Sequence, residues 1–188
     1  MAVLGVHTTA PPLPMRRRTI LGGLAGIATL SGAAWWLVRG ADGDRIEPRE
    51  YELLYAGPEA STVTLPDPDR VTVLEFFATS CDVCQGMMPT LGEVADTIDP
   101  TAVQFVSVTI EPLGLTIGED DVLDWWETYD GHWAMTSDHA HDRHLSEALE
   151  VTRIPRTVVL DEGNRVVEDT LGAHSADELL AMIEAANS

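Results

Sequence analysis

The sequence predicts an α/β fold: a mixed central sheet covered by helices on both faces, preceded by one apolar N-terminal helix. Three observations carry that expectation. Residues 71–77 (VTVLEFF) and 103–110 (VQFVSVTI) are apolar, β-branched and aromatic, the composition of strands buried on both sides. Segments with helical spacing alternate with them, which calls for helices packed on a sheet. Residues 157–160 and 165–168 flank Asp161-Glu162-Gly163-Asn164, a turn joining antiparallel strands, so the sheet is mixed. A chain of 188 residues, 45 % of them hydrophobic, accommodates one such domain and an extension but not two ordinary domains.

In chain order, residues 1–18 read as a tail that ends in Arg16, Arg17 and Arg18, with Met15 just before them as an alternative start. Residues 19–38 (TILGGLAGIATLSGAAWWLV) carry no charge. At about 1.5 Å per residue they reach about 30 Å, the thickness of a bilayer core. Trp35 and Trp36 lie near the far end, where aromatic rings favour the interface. The positive-inside bias then makes the tail cytoplasmic and puts the rest outside. Arg17-Arg18 ahead of apolar residues also fits a twin-arginine export signal, and Gly32-Ala33-Ala34 offers small residues for cleavage. Three readings follow: a single-pass anchor in the cell membrane, a cleaved signal that releases a secreted domain, or a buried core helix.

Residues 39–50 are charged and contain Gly43 and Pro48, a linker composition, and the folded domain is expected at 51–188. Short strands are expected at 51–55 and 61–65, divided by Gly57-Pro58, with a turn at Pro66-Asp67-Pro68-Asp69. After the strand at 71–77 comes a helix over 82–98, stopped by Asp99-Pro100. A second helix is expected over 119–129, where Val122, Leu123, Trp125, Trp126 and Tyr129 keep helical spacing. Asp138 is placed to cap a helix running to about Glu150. Ser175 with Glu178 three residues on forms a capping box for the last helix.

There are 31 acids against 11 bases, and no base is Lys. Up to Arg45 there are five Arg and two Asp, a net +3; from Ile46 onward six Arg meet 29 acids, a net −23. A surface so acidic repels phosphates and excludes a nucleic-acid partner. The pattern resembles proteins of salt-loving archaea, where salt screens self-repulsion over about 3 Å at 1 M.

The only two cysteines, Cys81 and Cys84, are too few for a disulfide framework and lack a second pair to complete a zinc site. They follow the strand 71–77 through Ala78-Thr79-Ser80 and open a helix. Unpaired N–H groups and partial positive charge at a helix start stabilise a thiolate. The first cysteine of such a pair attacks a disulfide; the second, one turn deeper, resolves the mixed disulfide. A purely structural disulfide is the competing reading. Asp82 sets a carboxylate beside Cys81 and opposes its thiolate, which favours a reductant over a strong oxidant, while the helix start pulls the other way.

The stretch Phe76-Phe77-Ala78-Thr79-Ser80-Cys81-Asp82-Val83-Cys84, followed by Met88-Pro89, resembles the thioredoxin superfamily, in particular its TlpA/ResA-like membrane-anchored thiol–disulfide oxidoreductases. The resemblance covers roughly residues 62–186 and implies a thioredoxin-like three-layer fold. It implies that Glu75, six residues before Cys81, is a buried acid relaying a proton for Cys84, and that Pro155 after Ile154 is a cis-proline facing the disulfide. It also implies no cofactor beyond the redox-active disulfide, protein thiols or disulfides as substrates, and a membrane electron donor such as a DsbD/CcdA-like reductase. Ser80 stands where the family has Trp, Asp82-Val83 where thioredoxins have Gly-Pro, and Arg156 where Thr is frequent, so substrate and potential stay open.

Residues 106–111 and the Trp-rich helix after them also resemble Sco-like copper chaperones, a binding rather than a catalytic reading. That family spaces its cysteines by three residues and adds a late His; here the spacing is two and the segment before Pro155 has no His. His139, His141 and His144 cluster as a solvated face or, less simply, as a metal site.

Overall fold

Val71–Phe77 (β3) takes the middle of the sheet because it is buried along its whole length, which only a strand covered on both faces can be. The structure, a computed structural model, describes residues 45–187. The tail and the anchor or signal expected at 1–38, and most of the linker, lie outside the described residues. Among the described residues no helix is long and apolar enough to cross a membrane.

The described elements are β1 (Arg49–Glu52), β2 (Thr62–Leu65), β3, α1 (Asp82–Thr97), β4 (Val103–Thr109), α2 (Glu119–Thr128), β5 (Ala134–Ser137), α3 (His144–Ala148), β6 (Arg156–Leu160), β7 (Val166–Leu171) and α4 (Ala176–Ala186). The main sheet runs β5-β4-β3-β6-β7, and β1-β2 form a small second sheet. β3 is parallel to β4 and antiparallel to β6, so the sheet is mixed.

Alternation along β3 sorts the core into two layers. Val71, Val73 and Phe77 meet Met87, Leu91 and Val94 of α1, Trp126 of α2, and Leu179 and Ile183 of α4. Leu74 and Phe76 turn to the other face, onto Tyr51, Leu65, Leu145 and Leu149. Each such buried side chain contributes roughly 1.5–3 kcal/mol of hydrophobic stabilisation. Helices therefore cover both faces, as the sequence predicts, with β1-β2 assisting on the second.

Three expectations need correction. The strand expected at 51–55 begins earlier, at Arg49, and the end of the linker is docked: Ile46 is buried and its N–H meets the Asn164 carbonyl at 3.0 Å. One apolar residue among charges leaves no periodic signal. β5 was not expected, because AMTS is four residues long with one β-branched member and draws its order from β4. The helix expected from Asp138 is split into a 3-10 turn, His139–His141, and α3. Asp142 and Arg143 sit at φ 55 between them. Asp138 caps across that break, accepting the Leu145 and Ser146 N–H groups, both at 2.9 Å.

Candidate functional site

β3 ends at Phe77, and Cys81 is the N-cap of α1, its Sγ accepting the Cys84 N–H at 3.1 Å. Cys81 and Cys84 are joined by a disulfide with Cα atoms 5.2 Å apart. Cys84 is 1 % exposed, while Cys81 is only partly buried and Val83 between them is 50 % exposed. The pair is therefore asymmetric: a partner reaches the Cys81 sulfur first. When the disulfide opens, the N–H aimed at Cys81 is a donor for the charge that sulfur takes up.

The loop ahead of Cys81 is clamped by Glu111, just past β4. Its carboxylate accepts the Thr79 N–H at 3.0 Å, the Thr79 hydroxyl at 2.8 Å and the Thr109 hydroxyl at 3.1 Å. Sequence reading missed Glu111; the available signal was an acid directly closing an apolar strand in front of Pro112.

Glu75 shares the sheet face of Val73 and Phe77, the face that Cys84 packs on. It is 1 % exposed, and burial pushes its carboxyl up to about 8, with a Ser107 hydrogen bond pulling the other way. Ser107 Oγ donates to Glu75 Oε2 at 3.1 Å and accepts from Trp133 Nε1 at 2.9 Å. Glu75 Oε1 and the Thr157 hydroxyl have no hydrogen-bond partner among the described residues, and these two residues are cross-strand partners.

Pro155 is buried and follows Ile154 through a cis peptide bond. Arg156 pairs with Phe76, so Pro155 stands at the end of β6 beside the end of β3, where the chain departs toward Cys81. The structure thus brings Cys81, Cys84 and Pro155 to one end of the sheet, with Glu75 two residues further inside β3. Arg156, unusual after the proline, is held by Asp169 at 2.7 and 2.6 Å.

The histidines singled out from sequence pack elsewhere. The His144 ring meets the Tyr51 hydroxyl at 2.9 Å and His141 lies against the Tyr51 ring, 4.2 Å between centroids. Among the described residues no group of three or more His, Cys, Asp or Glu is arranged to hold a metal ion. Trp125 stacks on Phe77 and Trp126 is fully buried. Beside the first turns of α1 lies an open groove of about 390 Å³, lined by Asp82, Gln85, Met88, Pro89, Tyr129 and Asp130 among others.

Residues 41–183 match the model of the Redoxin family. The chain belongs to the Redoxin family. Solved structures agree on the fold. A putative thiol:disulfide interchange protein DsbE from Chlorobium tepidum superposes with a TM-score of 0.62 at 19 % identity, over 78 % of this chain and 97 % of that one. StoA from Bacillus subtilis gives 0.60 at 18 %, over 72 % and 97 %. A secreted Mycobacterium tuberculosis disulfide oxidoreductase homologous to E. coli DsbE gives 0.55 at 20 %, over 73 % and 95 %. At such identities the likeness speaks for the fold alone. No curated protein matches the chain. With its C-x-x-C disulfide at the head of α1, this Redoxin is a thiol–disulfide oxidoreductase with a thioredoxin-like fold.

Proposed function

We propose that this Redoxin is an extracytoplasmic reductase of protein disulfides, tethered by residues 19–38. The observation that carries the reading is the asymmetric disulfide, with Cys81 reachable and Cys84 buried on the sheet face that carries Glu75. In the reduced protein the Cys81 thiolate attacks one sulfur of a partner disulfide. That S–S bond breaks, and the departing sulfur takes from solvent the proton that Cys81 released on ionising. Cys84 then gives its proton to Glu75, and its thiolate attacks Cys81 Sγ. The Cys81–partner bond breaks, the second partner thiol leaves with the returned proton, and the Cys81–Cys84 disulfide closes. The partner gains two electrons and two protons; the enzyme loses both. Pro155, at the same end of the sheet, positions the partner backbone.

Asp82 beside Cys81 supports the reducing direction, because a carboxylate there opposes the thiolate that a strong oxidant stabilises. The apolar run at 19–38 behind three arginines supports the tether. The secreted relative from Mycobacterium tuberculosis is compatible with an extracytoplasmic domain. A domain outside the membrane needs its electrons delivered through it, so a DsbD/CcdA-like membrane reductase is the donor class. The net charge of −20 with no Lys supports a salt-rich setting and a haloarchaeal source.

With dithiothreitol as electron source in high salt, the full-length protein is expected to accelerate insulin disulfide reduction. It should be at least about tenfold less effective at oxidising reduced, unfolded ribonuclease. Rapid ribonuclease oxidation with negligible insulin reduction would reverse the direction proposed here.

A further inference from the structure

We propose that Ser107 and Trp133 are positioning residues for the proton relay: together they fix one Glu75 oxygen and leave the other, Oε1, to take and return the Cys84 proton. The inference rests on the reading of Glu75 as that relay.

The Trp133 indole N–H can only donate, so at 2.9 Å it fills an acceptor site of the Ser107 hydroxyl. The single Ser107 proton then goes to Glu75 Oε2, at 3.1 Å. The indole cannot turn away. It stacks on Phe105 at 5.8 Å and meets Trp126 edge-on at 4.7 Å between centroids, and it is 2 % exposed. A fixed donor at Oε2 leaves Oε1 as the oxygen of Glu75 with free capacity, and Oε1 is the one without a partner. A proton taken up by the carboxylate therefore lands on Oε1 and stays there until Cys81's partner leaves.

The surroundings keep this arrangement simple. β4 faces Glu75 with Ser107 and β6 with Thr157, neither of which titrates. Cys84 of α1, with Cys81 packed beside it, belongs to the cluster on the same sheet face and titrates once the disulfide is open. Burial raises the Glu75 carboxyl and the Ser107 hydrogen bond lowers it. Losing the Ser107 donor therefore moves Glu75 upward.

The test follows two signals in the full-length protein. The first is the Trp133 indole N–H resonance, assigned by its disappearance in Trp133→Phe. It is expected to shift with pH around 8, and to stop doing so in Glu75→Gln. The second is the slow release of nitrothiobenzoate from its adduct with Cys81, measured against pH by stopped flow. Ser107→Ala is expected to move that profile upward by about one pH unit, the size of a lost hydrogen bond to a charged group. Trp133→Phe should move it the same way by less, and Ser107→Thr, which keeps the hydroxyl, should restore it. An unmoved profile in both Ser107→Ala and Trp133→Phe, with the profile still abolished by Glu75→Gln, overturns the positioning role and leaves the relay standing. A profile that survives Glu75→Gln overturns the relay and the positioning role with it.

Discussion

Cys84→Ser accumulates covalent mixed disulfides between Cys81 and its protein partners, and turnover falls by at least about a thousandfold. The variant keeps the reachable sulfur and removes the one that resolves the adduct. Because Cys84 is buried, no other thiol of this chain substitutes for it; Cys81 and Cys84 are its only cysteines. Non-reducing electrophoresis of cells expressing the variant should show adducts that collapse on adding dithiothreitol. The double variant Cys81→Ser, Cys84→Ser should show none. Adducts that persist in the double variant, or full turnover in Cys84→Ser, would remove the resolving role from Cys84.

Glu75→Gln has the second large effect, and it acts on stability and chemistry in opposite directions. The carboxyl titrates near its ordinary 4.5 in the unfolded chain and is pushed up to about 8 by burial in the folded one. Between those values the folded state holds a proton that the unfolded state has released, so stability falls as pH rises through the window. The stability is fully present below about 4.5 and lost by about 8, a loss of roughly 3–5 kcal/mol at one unit per 1.36 kcal/mol. Glutamine does not ionise, so the denaturant midpoint of the parent should decline relative to that of the variant over this range. Parallel curves would mean that Glu75 ionises in the folded protein as it does in solvent. The same variant should slow release of the partner from Cys81 by about a hundredfold, because Cys84 has lost its proton acceptor. An ionisable side chain that lowers stability and yet sits in the central strand is what a functional group looks like in a core.

That burial was legible before the fold was known. An acid within VTVLEFF has no solvent face to occupy if the strand is central, and β3 is central. The cysteine pair was equally legible, because a strand leading straight into C-x-x-C and a helix places the thiols by local sequence alone. The last helix declared itself through Ser175 and Glu178, whose carboxylate accepts the Ser175 N–H at 2.8 Å. What sequence could not show depends on contacts distant in the chain. Glu111 reaches back to Thr79, and Trp133 finds Ser107 from β4. Neither carries a local signature: an acid after a strand and a tryptophan after a helix are common. The break at Asp142 and Arg143 escaped for the same reason. It accompanies the pairing of Asp138 with the N–H groups of Leu145 and Ser146, beyond the break, and nothing in DHAHDRH spells that out.

The most direct measurement is the reduction potential of the Cys81–Cys84 pair in the full-length protein at high salt, by equilibration with glutathione or dithiothreitol buffers. A reductase fed through the membrane is expected at about −250 mV or below, in the range of thioredoxin. A value near about −120 mV, in the range of DsbA, would contradict it and assign the protein to disulfide formation instead.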